Sequence, residues 1–226
     1  MHTFYLFLIL LVATHEIQAT IYTVTNTALS TPGGVRFRDQ IGEQYTIQTL
    51  DSASQFIWTI LQENNQADRK LVQNVSLFVD PNATGVVAYT TKITHEIHVS
   101  ASYISSYKGD VKNEITGVLY HEMTHVRQWH GHGEAPTGLT EGIADYVRLK
   151  ANLAAGYWVK AGEGDRWDEG YDVTARFLDY CDGLRNGFVG ELNKMMRSGY
   201  SDQFFLQLLG KTVVQLFAEY KAHYGN

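Results

Sequence analysis

Residues 112–129, KNEITGVLYHEMTHVRQW, decide how this chain folds and what chemistry it carries. Apolar residues recur there every three or four positions, as they do on the buried face of an amphipathic helix. Ile115, Val118 and Trp129 share that face with Glu122 and His125. A buried glutamate and histidine cost several kcal/mol unless they have partners. The stretch therefore predicts a buried helix whose polar side chains are held there for a chemical reason.

The motif His-Glu-Met-Thr-His, at residues 121–125, is the chemical centre of this helix. His121 and His125 are four residues apart, so both imidazoles lie on one face about one turn from each other. Two imidazoles in this arrangement can hold one Zn²⁺, and Glu122 beside them can take a proton from a water that the metal activates. The alternative is a pair of core histidines bonded to a carboxylate. We favour the metal site, because it satisfies both histidines and uses the glutamate between them.

A catalytic zinc site usually has three protein ligands, so the motif needs one more. The longer pattern HExxHxxGxxH would require glycine at 128 and histidine at 131, whereas the chain has Gln128 and Gly131. His130 and His132 flank the required position and miss it. A structural zinc site closed by one of these two histidines is an alternative, and it would leave no position for a water.

A carboxylate on the following helix is the other source of a third ligand, and the sequence Glu141-Gly-Ile-Ala-Asp145 fits it. Glu141 would bind the metal. Asp145, one turn later on the same face, would accept the free N–H of a ligand histidine. The intervening loop, residues 129–137, is rich in glycine and contains Pro136, so it can reverse the chain between the two helices.

Length and charge limit the class of protein. The 226 residues are enough for one domain with a full core, and 18 basic against 24 acidic side chains give a net charge of −6. This balance gives no general attraction to nucleic acid or to anionic membranes. The lone Cys181 cannot form an internal disulfide and is expected to be a small buried apolar residue.

The N-terminus predicts export. Residues 4–13, FYLFLILLVA, form an apolar run that is too short to span a bilayer and suits the hydrophobic region of a signal peptide. Ala19 is a small residue suited to cleavage, so we predict a signal peptide at 1–19 and one secreted domain at 20–226, without a membrane segment. A buried N-terminal strand or an uncleaved anchor is the alternative. Asn74-Val75-Ser76 and Asn82-Ala83-Thr84 match the acceptor pattern for N-glycosylation, which fits a secreted glycoprotein.

The rest of the chain divides into strands followed by helices. Strands are predicted at about 20–28, 74–80, 86–91 and 95–101, and helices at about 53–61, 112–129, 138–149, 172–182 and 213–220. Ser52 and Gln55 form a possible capping box for the first helix. The order predicts an α+β fold: a small, mostly antiparallel N-terminal sheet with helices, then a mainly helical half that carries the active-site helix. His95 and His98 would point to opposite faces of the last strand, which could be an edge that pairs with an extended peptide.

Four stretches resemble the plant basic secretory protein family. They are HEMTHVRQWHGHGEAPTGLTEGIADYVRLKA (121–151), GDRWDEGYDVTARFLDYCD (164–182), FVGELNKMM (188–196) and LLGKTVVQLFAEY (208–220). The resemblance runs from about Val24 to Tyr224 and implies a secreted, gluzincin-like metallopeptidase associated with plant defence. It implies His121, His125 and Glu141 as zinc ligands and Glu122 as general base. The chain departs from the family's "basic" label because it is acidic.

Metallopeptidases of this kind often use a tyrosine or histidine after the third ligand to stabilise the oxyanion. Tyr171 resembles the tyrosine of related YxxA segments, and Tyr146 competes with it, in a chain with 14 tyrosines. The combined prediction is a secreted zinc peptidase that acts on peptides or proteins, with Glu122 and Tyr171 as catalytic residues. The alternative is a non-catalytic, zinc-stabilised secreted binding module related to defence.

Overall fold

A small sheet lies beneath the helices, in a computed structural model that describes residues 19–225. The strands are β1 (Ile21–Asn26), β2 (Asn74–Asp80), β3 (Ala88–Thr90) and β4 (Glu96–Ser100). The helices are α1 (Pro32–Gln40), α2 (Glu43–Ile60), α3 (Ala101–Ser106), α4 (Val111–Arg127), α5 (Thr137–Lys150), α6 (Tyr171–Leu184), α7 (Phe188–Met195), α8 (Gln203–Leu209) and α9 (Val213–His223). The predicted α+β class is confirmed. The predicted signal peptide, apart from Ala19, lies outside the described residues.

The strand order is β1-β2-β4-β3, and the prediction of a mostly antiparallel sheet is wrong. β1 pairs with β2 in parallel, β2 pairs with β4 in parallel, and only the β3–β4 pair is antiparallel. Helices α1 and α2 connect β1 to β2, and a helical crossover of that kind returns the chain in the same direction. The loop between β2 and β3, residues 81–87, does not close a hairpin, because β4 lies between these two strands.

Most predicted elements are present, with changed bounds. The four strands lie inside the predicted ranges, and the five predicted helices correspond to α2, α4, α5, α6 and α9. The capping box at Ser52 and Gln55 is wrong, because both residues lie inside α2, which begins after Gly42 with a left-handed φ of 83°. The apolar spacing marked only the later turns of α2, where Ala53 and Ile57 are fully buried.

Helix α4 occupies the middle of the molecule, packed between α2 on one side and α5 on the other. The inner face of the sheet adds Val75, Leu77 and Val79 to the same core. Cys181 is fully buried in that core as a free thiol, as predicted. Among residues 19–225, no helix combines the length and apolar character that crossing a membrane requires.

Arg127 fixes the last turn of α4. Its side chain is 2% exposed and donates hydrogen bonds to the hydroxyls of Thr20 (2.9 Å), Tyr22 (3.2 Å) and Ser54 (3.3 Å). Its guanidinium lies 4.9 Å from the ring centre of Trp58. These contacts tie the helix to β1 and α2, so the motif at 121–125 is held against the sheet side of the molecule.

Candidate active site

Asp145 fixes the orientation of His121. Its Oδ1 lies 2.6 Å from Nδ1 of His121, and both residues are at least nine-tenths buried. Nδ1–H donates to this carboxylate, and Nε2 faces Glu141, whose Oε2 is 3.1 Å away. Burial opposes a charge on His121, but the bonds to Asp145 and Glu141 outweigh it and raise the pKa of His121 to about 10.

His121, His125 and Glu141 form a group that could hold a metal ion. The three facing atoms are the two Nε2 atoms, 3.0 Å apart, and Oε2 of Glu141, which is 3.1 Å from His121 and 3.3 Å from His125. Ligand atoms around a tetrahedral Zn²⁺ stand roughly 3.3 Å apart, given metal–ligand distances near 2 Å. Burial alone would raise the pKa of Glu141. The bonds to His121 and His125 have the larger, opposite effect, so the pKa lies well below its usual value and the carboxylate is charged. The two ring nitrogens and the carboxylate oxygen thus converge at the spacing of a metal site.

Gln128 holds the second histidine, a role that sequence reasoning missed. Its side-chain amide lies 2.9 Å from Nδ1 of His125 and 3.1 Å from the carbonyl of Thr140. With its nitrogen toward His125, the amide leaves its own oxygen buried without a partner. The amide N–H groups donate to Nδ1 of His125 and to the carbonyl of Thr140, so Gln128 fixes the position of the His125 ring.

Glu122 is buried beside the metal group without belonging to it. Its Oε2 accepts a hydrogen bond of 2.6 Å from the hydroxyl of Thr90, at the end of β3. The bond fixes one carboxylate oxygen, and the other oxygen takes no part in it. Sequence reasoning missed Thr90, because it lies 32 residues before Glu122 and reaches it only through the fold of the sheet.

Tyr171 covers His121 from the first turn of α6. The two rings are stacked, with centroids 6.1 Å apart and an angle of 11° between the planes. Gly170 and Tyr171 both have left-handed backbone, and φ of 45° is unusual for a residue with a large side chain. Burial and then nearby carboxylates, Glu141 first, raise the pKa of Tyr171, so its hydroxyl keeps its proton. Tyr146, the competing candidate, is 2% exposed in the core and does not line the cleft.

A cleft of about 710 Å³ surrounds these side chains. One end, which we call the apolar end, is lined by Val118, Tyr157 and Trp158. Arg148 is also there, but its charge is paired with Glu114 at 2.9 Å. The two aromatic residues come from the segment 151–170, which contains neither helix nor strand. The other end is polar, with Lys92, Gln128, His130, Thr137 and Thr140 among its lining residues.

Among residues 19–225, the other histidines lie outside the group of His121, His125 and Glu141. His130 lines the polar end of the cleft, and His132 is exposed with a left-handed φ of 55°. His98 lies in β4, stacked between Phe78 and Tyr89, whereas His95 belongs to the turn before that strand. The prediction that their strand is an edge is wrong, because β4 has a neighbour on each side. The edge strands are β1 and β3, and residues 85–90, which include β3, line the cleft.

Fold and site together define an α+β unit whose central helices bring into one cleft three side chains that could hold a metal ion. The family model described as "Peptidase of plants and bacteria" matches residues 17–220, and the chain belongs to that family. A "Basic secretory protease" from Boswellia serrata is 52% identical over 59 residues, which cover 26% of this chain and 67% of the relative. No solved structure matches the chain. Membership in a peptidase family implies a peptide or protein substrate.

Proposed function

We propose that this chain is a zinc-dependent peptidase, with His121, His125 and Glu141 as ligands and Glu122 as general base. One observation carries the proposal: three metal-ligating atoms converge beside a buried carboxylate that is not one of them. A non-catalytic metal site has no need of that fourth group. Its place in the cleft, next to the ligands, is where a peptide would meet both.

The reaction follows from the chemistry of the side chains. A bound Zn²⁺ would supply Lewis-acid polarisation of a water and of the scissile carbonyl. Glu122, fixed by the hydroxyl of Thr90, would take the proton of the attacking water and pass it to the leaving amine. The hydroxyl of Tyr171 would donate to the developing oxyanion. An extended peptide would add to β3, the edge strand beside the cleft.

The substitution Glu122→Gln tests the enzyme against the binding module. It keeps the size of the side chain and removes the base, so zinc content and folding should stay near wild type. Hydrolysis of a broad peptide library should fall by roughly 10²–10⁴-fold. Chelator should abolish wild-type hydrolysis and added zinc should restore it. Glu43→Gln, at an exposed position in the first turn of α2, is the matched control and should change nothing.

Equal hydrolysis by wild type and Glu122→Gln would remove the general base from the proposal. If neither protein cleaves any peptide of the library, the binding module becomes the better interpretation.

The proposal extends to export and plant defence. The relative from Boswellia serrata is named a secretory protease, and the apolar run at 4–13 has the character of a signal peptide.

Asn74 and Asn82 are both exposed, so both remain open to glycosylation. Protein collected from plant culture medium should begin at Thr20. An N-terminus that retains Met1 would contradict the cleavage. Enzymatic deglycosylation of the same sample tests the two asparagines.

A further inference from the structure

We infer that the polar end of the cleft is a carboxylate-binding subsite, which selects peptides with an acidic group at that position. The residues that form it are Lys92 and His130, with Lys70 behind them, and we call this group the cationic end. The inference rests on the proposed function, because it names the class of peptide that the cleft accepts.

The cationic end lies just beyond the C-terminal ends of β3 and α4. Lys92 follows β3 two residues after Thr90, whose hydroxyl holds Glu122. His130 follows α4, five residues after His125, and both Lys92 and His130 line the cleft. A peptide that lies along β3 with its scissile bond at the metal group would therefore pass these two side chains.

The basic groups there repel one another without a matching acid. Burial lowers the pKa of His130, and Lys70 and Lys92 lower it further. Burial also lowers the pKa of Lys70, and the positive charges of Arg127 and Lys92 lower it further. Among residues 19–225, neither Lys70 nor Lys92 has an ion pair within 4.0 Å. Glu63 acts on Lys70 as well, but burial raises the pKa of this carboxyl to about 7, which limits the charge it offers.

At the apolar end of the cleft, by contrast, the buried cation has an acidic partner within the protein. Arg148 is buried at the apolar end, and Glu114 neutralises it at 2.9 Å. The cationic end has no such partner in the described chain, although acidic side chains outnumber basic ones in the sequence, 24 to 18. An incoming carboxylate would supply the missing counter-charge at this end of the cleft.

The carboxylate can be an Asp or Glu side chain or the C-terminus of the peptide, and three labelled peptides distinguish these sources. The first contains Gln and ends in an amide, the second contains Glu and ends in an amide, and the third contains Gln and ends in a free carboxylate. The second peptide is made as a series that differs only in the position of the Glu, so that one member of the series places it at the cationic end. Zinc-loaded Glu122→Gln protein binds them without the proposed hydrolysis, and fluorescence anisotropy measures each Kd.

We expect one acidic peptide to bind about 5–10-fold more tightly than the neutral one at low ionic strength. The difference should shrink toward about twofold when salt shortens the Debye length to a few Å. Adding Lys92→Gln should reduce the preference several-fold, whereas Lys92→Arg should keep it. Lys92 is exposed, so its loss should leave the fold intact. Lys108→Gln, an exposed lysine outside the cleft, is the matched control and should preserve the preference.

Equal binding of all three peptides overturns the inference, and so does an equal effect of Lys92→Gln and Lys108→Gln. Wild-type hydrolysis is measured separately on the same peptides. Acidic preference in binding without any hydrolysis supports the subsite and contradicts the proposed function. Hydrolysis without acidic preference supports the function and overturns the subsite.

Discussion

At the scale of single residues, the assignment of ligands is open to a direct test. Glu141→Ala should lose most of the metal, because two imidazoles alone bind zinc weakly. Asp145→Asn should weaken binding by about 10–100-fold, the usual effect of losing the partner of a ligand histidine. His130→Ala and His132→Ala should keep one zinc per chain by elemental analysis. Metal loss in His130→Ala together with full retention in Glu141→Ala would reverse the assignment.

Thr90 is a positioning residue for Glu122, through a hydrogen bond of 2.6 Å. Thr90→Val has the same shape without the hydroxyl, so hydrolysis should fall about 10-fold or more, the value of a hydrogen bond to a charged group. Zinc content should not change. Thr90→Ser restores the hydroxyl and should recover most of the activity. If serine were as impaired as valine, the threonine would matter for packing instead.

At the scale of elements, the close contact between α5 and α6 sets the distance from the ligands to Tyr171. A Cβ on Gly142, the residue after Glu141, would lie 2.2 Å from a methyl carbon of Thr174. Thr174 is fully buried, and its hydroxyl donates to the carbonyl of Trp167 and accepts from the N–H of Gly170, so it cannot turn away. Only glycine lets the helices approach this closely.

Gly142→Ala should therefore destabilise the protein by about 1–3 kcal/mol, a typical cost of overpacking. The midpoint of thermal unfolding should fall by about 3–10 °C. Gly183→Ala, in α6 where the added carbon would meet no atom within 4 Å, is the control. It should raise stability by up to about 1 kcal/mol, because alanine favours the helix. Similar melting curves for the two variants would show that the helices can separate without cost.

A site residue can be predicted from the sequence when it shares a helix with another site residue, and it cannot be when only the packing of separate elements brings the two together. His121, His125, Glu141 and Asp145 were predictable because each pair lies on one helix, where the period of 3.6 residues determines which side chains share a face. Thr90 reaches the site only because β3 lies at the edge next to α4, a result of strand order that no local pattern encodes. The strand directions were missed for the same reason. Apolar alternation locates a strand but does not identify its neighbour.

At the scale of the whole molecule, a buried carboxyl makes stability depend on pH. Glu63 is 3% exposed, one of its oxygens accepts from Asn193, and the other has no partner. Asn193 in turn accepts from the N–H of Trp129, so this network holds the chain just after α4. Burial raises the pKa of Glu63 from 4.5 to about 7, against the smaller opposing effects of Asn193 and Arg127.

The folded state thus holds the proton of Glu63 more tightly than the unfolded state does. This contribution to stability is complete below pH 4.5 and is lost as the pH rises through about 7. Its size is up to about 3 kcal/mol. Glu63→Gln should therefore stabilise the protein at pH 8 and have little effect at pH 4, relative to wild type. Urea unfolding of both proteins at the two pH values measures this, with Glu43→Gln as the exposed control. An effect of the same size at both pH values would mean that Glu63 does not titrate as described.

The segment between α5 and α6 is a part of the cleft wall whose side chains can change over evolution. Residues 151–170 supply Tyr157 and Trp158 to the cleft wall from outside any helix or strand, and the Trp158 ring lies 5.4 Å from the guanidinium of Arg148 in α5. The segment is fastened elsewhere, by the bond from the N–H of Gly162 to the hydroxyl of Tyr220 and by Lys221 on the carbonyl of Gly164. Mutations between the catalytic helices and these anchors can alter which side chains the wall accepts, while the ligand-bearing helices keep their geometry. Gene duplicates could therefore acquire different cleavage preferences by drift in this one stretch, under little selective conflict with the chemistry.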